Sequence, residues 1–299
     1  MTVRSTPPLI PAAILALWAQ LWWSLAPTWQ HGEYYEYGWF VPPLVVFFAW
    51  RRWQELTVPE RSGQGRLPLW LGLGVAVALL ALPLLRAVEV ADPGWRVPLL
   101  VQTALTAGLA HFLLGKGFGW RVSWLFAPVT IFALSAVPWP WQIERLLIDR
   151  LTQAVVHLTS EIFLFFGQPV EVSGARLTMG QEVVEVTEGC SGIRSLQSLV
   201  MAALFFGELL RLSWQRRVAL MALAAVCALV VNTGRAWTLA HVQFTRGKEA
   251  AEAAHDGIGH AAFILSALLL LLSAWLLQIK RQRVVVRQVA PPRRTAEEG

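Results

Sequence analysis

The sequence predicts an all-α polytopic membrane protein with about eight transmembrane helices and a small extracytoplasmic cap, which contains an interfacial helix and short β-strands. Of 299 residues, 56% are hydrophobic and 15% are charged, and the mean hydropathy is +0.50, whereas soluble domains carry charge on roughly a quarter of their residues. Apolar runs long enough to cross, or nearly cross, a hydrocarbon core of roughly 30 Å recur along the chain. These runs cover residues 9–26, 38–50, 68–86, 97–114, 122–139, 192–210, 216–232 and 258–279.

The first run is expected to remain as a membrane span. A cleavable leader ends at a small-x-small site, and here Trp-rich sequence follows the run instead. The run 38–50 is the shortest of the eight. Several of the 16 Trp residues lie beside apolar runs, where aromatic side chains anchor a protein at the membrane interface.

The positions of Lys and Arg predict the orientation. With the N-terminus inside, 16 of the 25 Lys and Arg residues fall on cytoplasmic segments. Because cytoplasmic loops carry the excess of positive charge, both termini are expected in the cytoplasm. Residues 1–279 are expected to form the membrane domain, and residues 280–299 a basic, disordered tail within reach of anionic lipid.

The extracytoplasmic cap is predicted for Pro140–Gly189, the longest outer segment. Residues 142–166 mix apolar residues and charges at helical spacing, which indicates a helix in or near the interface. Residues 170–186 alternate apolar and polar residues around Ser-Gly and Gly-Gln turns, which indicates short strands. The cap leads directly to Cys190.

Several function classes are disfavoured by the composition. The net charge of +6 has a topological explanation, and no basic stripe interleaved with aromatic residues indicates a nucleic-acid partner. No metal-ligand spacing indicates a metal, so no cofactor is expected. The only other cysteine, Cys227, lies inside an apolar run, which makes a structural disulfide with Cys190 unfavourable.

Cys190 is the candidate nucleophile. It lies where strand-like sequence gives way to an apolar helix, between Gly189 and Gly192, which permit a tight turn. A thiol at a helix N-terminus has a lowered pKa and a larger thiolate fraction. The alternative interpretation is a small residue used for close helix packing.

Two polar segments are expected on the same membrane face as Cys190. Asn232-Thr-Gly-Arg235 closes the seventh apolar run, and there Arg235 is either a snorkelling anchor or a fixed cation for a thiolate or oxyanion. Arg194, one turn into the helix after Cys190, competes for the second role. His255 precedes the last run and is either a solvated residue or a base, with His260 expected inside the last span. The convergence of three polar groups favours function.

These residues resemble the exosortase/archaeosortase family of multi-pass membrane cysteine transpeptidases. The resemblance rests on three motifs: Glu188-Gly-Cys190-Ser-Gly-Ile-Arg194-Ser-Leu, Asn232-Thr-Gly-Arg235 and His255-x-x-x-Gly259. A weaker similarity lies in His31-Gly-Glu, Val41-Pro-Pro43 and Trp50-Arg-Arg52. Gly189 stands where many members carry Ala, and His-Ala-Ala follows Gly259 in place of an aromatic pair.

The resemblance implies a function and a location. Cys190 would be the nucleophile, Arg235 the transition-state stabiliser and His255 the acid/base, with Glu188, Arg194, Asn232 and Gly259 as supporting or substrate-binding residues. Substrates would be exported proteins ending in a short motif such as Pro-Glu-Pro, a transmembrane helix and a basic tail. The site would face the outside of a bacterial inner membrane.

Two other functions are compatible with parts of the sequence. Gly189-Cys-Ser191-Gly192 also spells the Gly-x-Ser-Gly of a rhomboid-like intramembrane serine protease, although the long cap and the Cys before Ser191 disfavour that interpretation. A transporter or assembly scaffold is the non-catalytic alternative. It is disfavoured because coupled transporters usually need polar residues in the middle of their spans.

Overall fold

The computed structural model describes residues 9–31, 34–56, 69–186 and 191–289, with the side chains of 69–71 and 279–289 left out. The described chain is mostly helical and contains one small sheet. The α-helices are α1 (Leu9–His31), α2 (Val41–Gln54), α3 (Leu69–Ala91), α4 (Val97–Phe118), α5 (Trp120–Leu134), α6 (Trp141–Phe165), α7 (Ile193–Leu209), α8 (Trp214–Arg246) and α9 (Lys248–Val289). A 3₁₀ helix, Glu36–Phe40, precedes α2, and the strands are β1 (Glu171–Ser173), β2 (Arg176–Met179) and β3 (Glu182–Glu185).

Each of the eight apolar runs falls on a helix, so the predicted helical class is confirmed. Five helices among the described residues are long and apolar enough to cross a membrane: α1, α3, α4, α8 and α9. Three further runs give shorter helices, α2, α5 and α7, of 14, 15 and 17 residues. The protein is therefore a membrane protein with several apolar helices.

The expected membrane domain, residues 1–279, contains two packing units that divide inside α6, after Leu147. In the first unit, apolar side chains join α1, α3 and α4 in one cluster and α4 and α5 in another. A polar cluster ties the segments around the 3₁₀ helix together. Tyr35 donates to buried Glu144 at 3.3 Å and accepts from the N–H of Trp139 at 2.9 Å. Arg96 donates to the same carboxylate and to the carbonyl of Trp139.

Small residues allow close helix packing in the second unit. The core between α7, α8 and α9 contains Ala203, Ala224, Ala228 and Ala274, all buried, with Leu220 and other apolar residues around them. Small side chains let helix backbones approach closely, which is how membrane helices gain packing energy. This core holds the two helices that carry Arg235 and His255.

The helix and the short strands that the sequence predicts between residues 142 and 186 are present. The strands pair in the order β1-β2-β3, antiparallel throughout. The second turn is the predicted Gly180-Gln181, whereas the first is Gly174-Ala175, one residue later than the predicted Ser173-Gly174, because Ser173 still pairs with Arg176. Leu177 of β2 is fully buried against Val155 and Val156 of α6 and Ala236 of α8. The sheet is thus fixed beside α8, and β3 is one of its two edge strands.

The ends of α8 and α9 differ from the sequence prediction. Asn232 closes an apolar run, but α8 continues to Arg246, and α9 already begins at Lys248. The turn between them is Gly247, whose φ of +86° favours glycine. At 1.5 Å per residue the 33 residues of α8 measure about 50 Å, well beyond the roughly 20 residues that a bilayer needs. Arg235 and His255 therefore lie within a helical hairpin and not at helix ends. At the other end, α9 continues into the basic tail as far as Val289.

Candidate active site

The described residues on either side of the predicted nucleophile are Val186 and Ser191. Residues 187–190, and with them Glu188 and Cys190, lie outside the described residues. On one side, the N–H of buried Val186 donates to the carbonyl of Ala175 at 2.8 Å and extends the pairing of β3. On the other side, buried Ser191 accepts from the N–H of Ile193 at 3.3 Å. The predicted change from strand to helix around Cys190 is confirmed, since α7 begins at Ile193.

Gly192 packs the nucleophile motif directly against the Asn-x-x-Arg motif. It caps α7 with a φ of +85°, in the left-handed region. A Cβ on Gly192 would lie 2.8 Å from Nδ2 of Asn232 and 2.9 Å from its Cγ. Asn232 is itself 4% exposed. The contact requires glycine and fixes the start of α7 against α8.

Arg235 and His255 are in contact. Nη2 of Arg235 lies 3.0 Å from Nε2 of His255, across the α8–α9 hairpin. A guanidinium can only donate, so Nε2 must be the accepting, unprotonated nitrogen of the imidazole. The structure thus brings together two of the three residues that the sequence predicted to cooperate.

Asp256 fixes the other side of the imidazole. Its Oδ1 lies 3.2 Å from Nδ1 of His255. Because Nε2 accepts from Arg235, the ring proton resides on Nδ1 and is donated to this carboxylate. Asp256 was not selected from the sequence, although its adjacency to a candidate base was the available signal.

Gly259 lies beside the guanidinium of Arg235. A Cβ at this position would lie 3.8 Å from both Nε and Nη2 of Arg235, an ordinary van der Waals contact. Gly259 follows His255 by four residues and so occupies the same face of α9. Nε of Arg235 is buried and has no hydrogen-bond acceptor within the described chain. Among the described residues, the Nε–H of Arg235 is therefore a donor without an acceptor.

Arg194, His260 and Cys227 were also considered in the sequence. Arg194 is exposed in the first turn of α7, and His260 is exposed on α9, five residues beyond His255. Within the described ranges, the imidazole that meets Arg235 is that of His255. Cys227 is a free thiol packed in the core between α7, α8 and α9, two turns below Arg235.

A cleft of about 440 Å³ opens beside His255. It lies between the end of β3 and the α8–α9 hairpin. Its lining comprises Val184, Glu185 and Val186 of the sheet region, Ala236, Leu239 and Gln243 of α8, and Lys248, Ala251, Glu252, His255 and Asp256 of α9. Gln243 reaches across it, and its Nε2 donates to the carbonyl of Val183 at 3.1 Å. Volumes of this size are typical of ligand sites.

Comparison with known proteins shows the family to which the chain belongs. The family model that describes transmembrane exosortases (EpsH) matches residues 29–291 of the sequence. This chain belongs to the transmembrane exosortase family. No curated protein and no solved structure matched the sequence. The match covers both packing units and all three motifs that carry the resemblance.

The weaker family motif lies in the first unit of this exosortase. Gly32 and Glu33 are outside the described residues, whereas His31 is exposed at the end of α1. Two prolines open α2, where they are compatible with the first helical turn. Arg52 is buried and donates to the carbonyl of Leu125. This segment therefore ties α2 to α5.

Aromatic residues surround the C-terminal half of α8 in this family member. His241 stacks on Trp237 with ring centroids 5.5 Å apart. Phe163 of α6 lies against both rings, and Phe166, just beyond the end of α6, stacks on Trp237. This cluster packs α6 beside the site. Among the described residues, no group of three His, Cys, Asp or Glu side chains is arranged to hold a metal ion.

Proposed function

We propose that the protein is a cysteine peptidase or transpeptidase that cleaves the C-terminal sorting signals of exported proteins at the outer face of a bacterial inner membrane. Its substrates end in a short motif such as Pro-Glu-Pro, a transmembrane helix and a basic tail. The observation that carries the proposal is the 3.0 Å contact between Arg235 and His255, on the helix pair against which the start of α7 packs.

The first step is attack by the thiolate of Cys190 on the scissile carbonyl. Nε2 of His255 takes the thiol proton, because Nδ1 already carries one and donates it to Asp256. Once Nε2 is protonated it can no longer accept from Arg235. The N–H groups of Arg235 that faced Nε2 are then available to the oxyanion as it forms.

The second step releases the sorting signal. His255 returns its proton to the leaving amine, and the new C-terminus remains on Cys190 as a thioester. Attack by water gives hydrolysis, and attack by an amine or a sugar hydroxyl gives transfer to an acceptor. Arg194 and Glu188 are proposed to meet substrate near the thioester.

The proposed topology has about eight spans, both termini in the cytoplasm and the sheet outside. It is supported by the distribution of 16 of 25 Lys and Arg residues on inner segments. In this topology the short helices α2, α5 and α7 also cross the membrane, in addition to the five longer apolar helices. The extension of α8 beyond bilayer length suits a hairpin that rises from the membrane beside the sheet.

Co-expression with a reporter that carries such a sorting signal tests the function. Cys190→Ala and Cys190→Ser should abolish processing, because a helix terminus cannot ionise a hydroxyl appreciably. Ser191→Ala should retain processing at matched membrane abundance, and Cys227→Ala is the matched thiol control. Full activity of Cys190→Ala with loss in Ser191→Ala would replace the proposal by the rhomboid-like serine mechanism.

A further inference from the structure

The edge of β3 points into the cleft. In an antiparallel pair, successive residues turn their N–H and C=O groups alternately toward and away from the partner strand. The N–H of Val186 donates to Ala175 beside β2, so Glu185 and Val183 turn theirs the other way. The bond from Gln243 to the carbonyl of Val183 shows the same direction.

This edge is open for pairing. The sheet order is β1-β2-β3, and in the described part of the chain no strand pairs with β3 on its outer side. Edge strands present a row of donors and acceptors that a further strand can use. The side-chain amide of Gln243 donates to the carbonyl of Val183, in the place where the backbone N–H of an added strand would donate.

The position of the edge suits a substrate chain. His255 lines the same cleft as Glu185, and Cys190 follows Val186 by four residues along the chain. A peptide that runs along β3 therefore follows the segment that leads to the nucleophile. Carboxylates of Glu185, Glu252 and Asp256 and the ammonium of Lys248 lie at the rim, so the cleft lining carries both signs of charge.

We propose that the residues of the substrate next to its scissile bond bind in this cleft as a fourth strand, hydrogen-bonded to β3 at Glu185 and Val183 after displacing Gln243. The inference rests on the proposed function and adds how the substrate is held. Strand addition draws affinity from main-chain hydrogen bonds and specificity from alternate side chains. It delivers an extended peptide bond, which is the form that a nucleophile can approach.

Two substitutions at one position isolate the backbone bond. Glu185→Ala and Glu185→Pro both remove the carboxylate, but only proline removes the N–H that faces the cleft. Proline is tolerated at an edge strand when its nitrogen faces away from the partner. Relative to Glu185→Ala, Glu185→Pro should raise KM for the reporter about tenfold, the effect of one hydrogen bond, with kcat little changed. Thermal unfolding in detergent verifies that both variants fold.

A second measurement reads the pairing from the substrate. A fluorescent synthetic peptide of the reporter motif and its flanking residues is titrated against the Cys190→Ala protein, with a single N-methyl group placed in turn at each residue other than proline. Strand pairing predicts loss of binding at every second residue. Equal KM values for the two Glu185 variants, or losses without a period of two, would overturn the inference. Processing by Cys190→Ala would instead overturn the proposed function, so the two failures are distinguishable.

Discussion

Replacing Arg235 by lysine separates a guanidinium that acts in the transition state from a simple positive charge. In the structure one nitrogen of Arg235 meets Nε2 of His255 at 3.0 Å, and buried Nε has no acceptor within the described residues. Lysine keeps the charge but loses the planar fork that holds two donors in fixed directions. Removing one oxyanion donor typically lowers kcat by about 10²–10³, or about 2.7–4 kcal/mol.

We therefore expect Arg235→Lys to lower kcat for reporter processing by about 10²–10³ at matched membrane abundance, with little change in KM. Arg246→Lys, an exposed position at the end of the same helix, is the matched control and should remain near wild type. Because the two residues act as a unit, Arg235→Lys should add little to the loss caused by His255→Ala. Activity of Arg235→Lys within about threefold of wild type would refute the role of the fork.

Three further results are expected. Gly192→Ala should lower the Tm in detergent, because an L-residue at φ +85° costs about 1–2 kcal/mol and its Cβ would lie 2.8 Å from Asn232. Adding Asn232→Ala should recover part of the lost Tm. Strictly additive effects of the two substitutions would contradict the contact. Burial, with the nearby carboxylate, raises the pKa of Tyr35 from 10.0 to about 12. The stability that Tyr35 contributes is therefore complete below pH 10 and is lost, by about 3 kcal/mol, as the pH rises from 10 through 12. Tyr35→Phe should flatten the dependence of unfolding on pH over that range. In a chain without native cysteines, a membrane-impermeant maleimide should label Gln181→Cys in intact spheroplasts and Gly299→Cys only after permeabilisation, and the reverse pattern would invert the topology.

The sequence predicted the helices and strands well because each has a local cause. Apolar runs of sufficient length specify helices in lipid, where every backbone group must be satisfied within its own segment. The strands around Leu177 follow from alternation between two turn dipeptides. The choice of Arg235 and His255 followed from polar groups gathered on one face of the membrane, and their contact is confirmed.

The helix ends were predicted less well, for a physical reason. Hydropathy marks where a helix enters and leaves hydrocarbon, but a helix continues wherever packing supports it. The α8–α9 hairpin continues beyond the apolar runs, where Arg235 meets His255 and where Ala240 and Ala251 are buried. Arg235 and His255 consequently lie along helices rather than at their ends.

By itself the sequence determined the membrane class, the order of helices and strands, and the three motifs, since each depends on composition or on spacing along a single element. Only the tertiary structure placed Gly192 against Asn232, gave His255 its tautomer through Arg235 and Asp256, and turned the edge of β3 toward α8 and α9. Those features depend on contacts between segments far apart in the chain, which no local pattern records. The cleft exists because a sheet held by Leu177 and a hairpin turning at Gly247 meet beside the same helix.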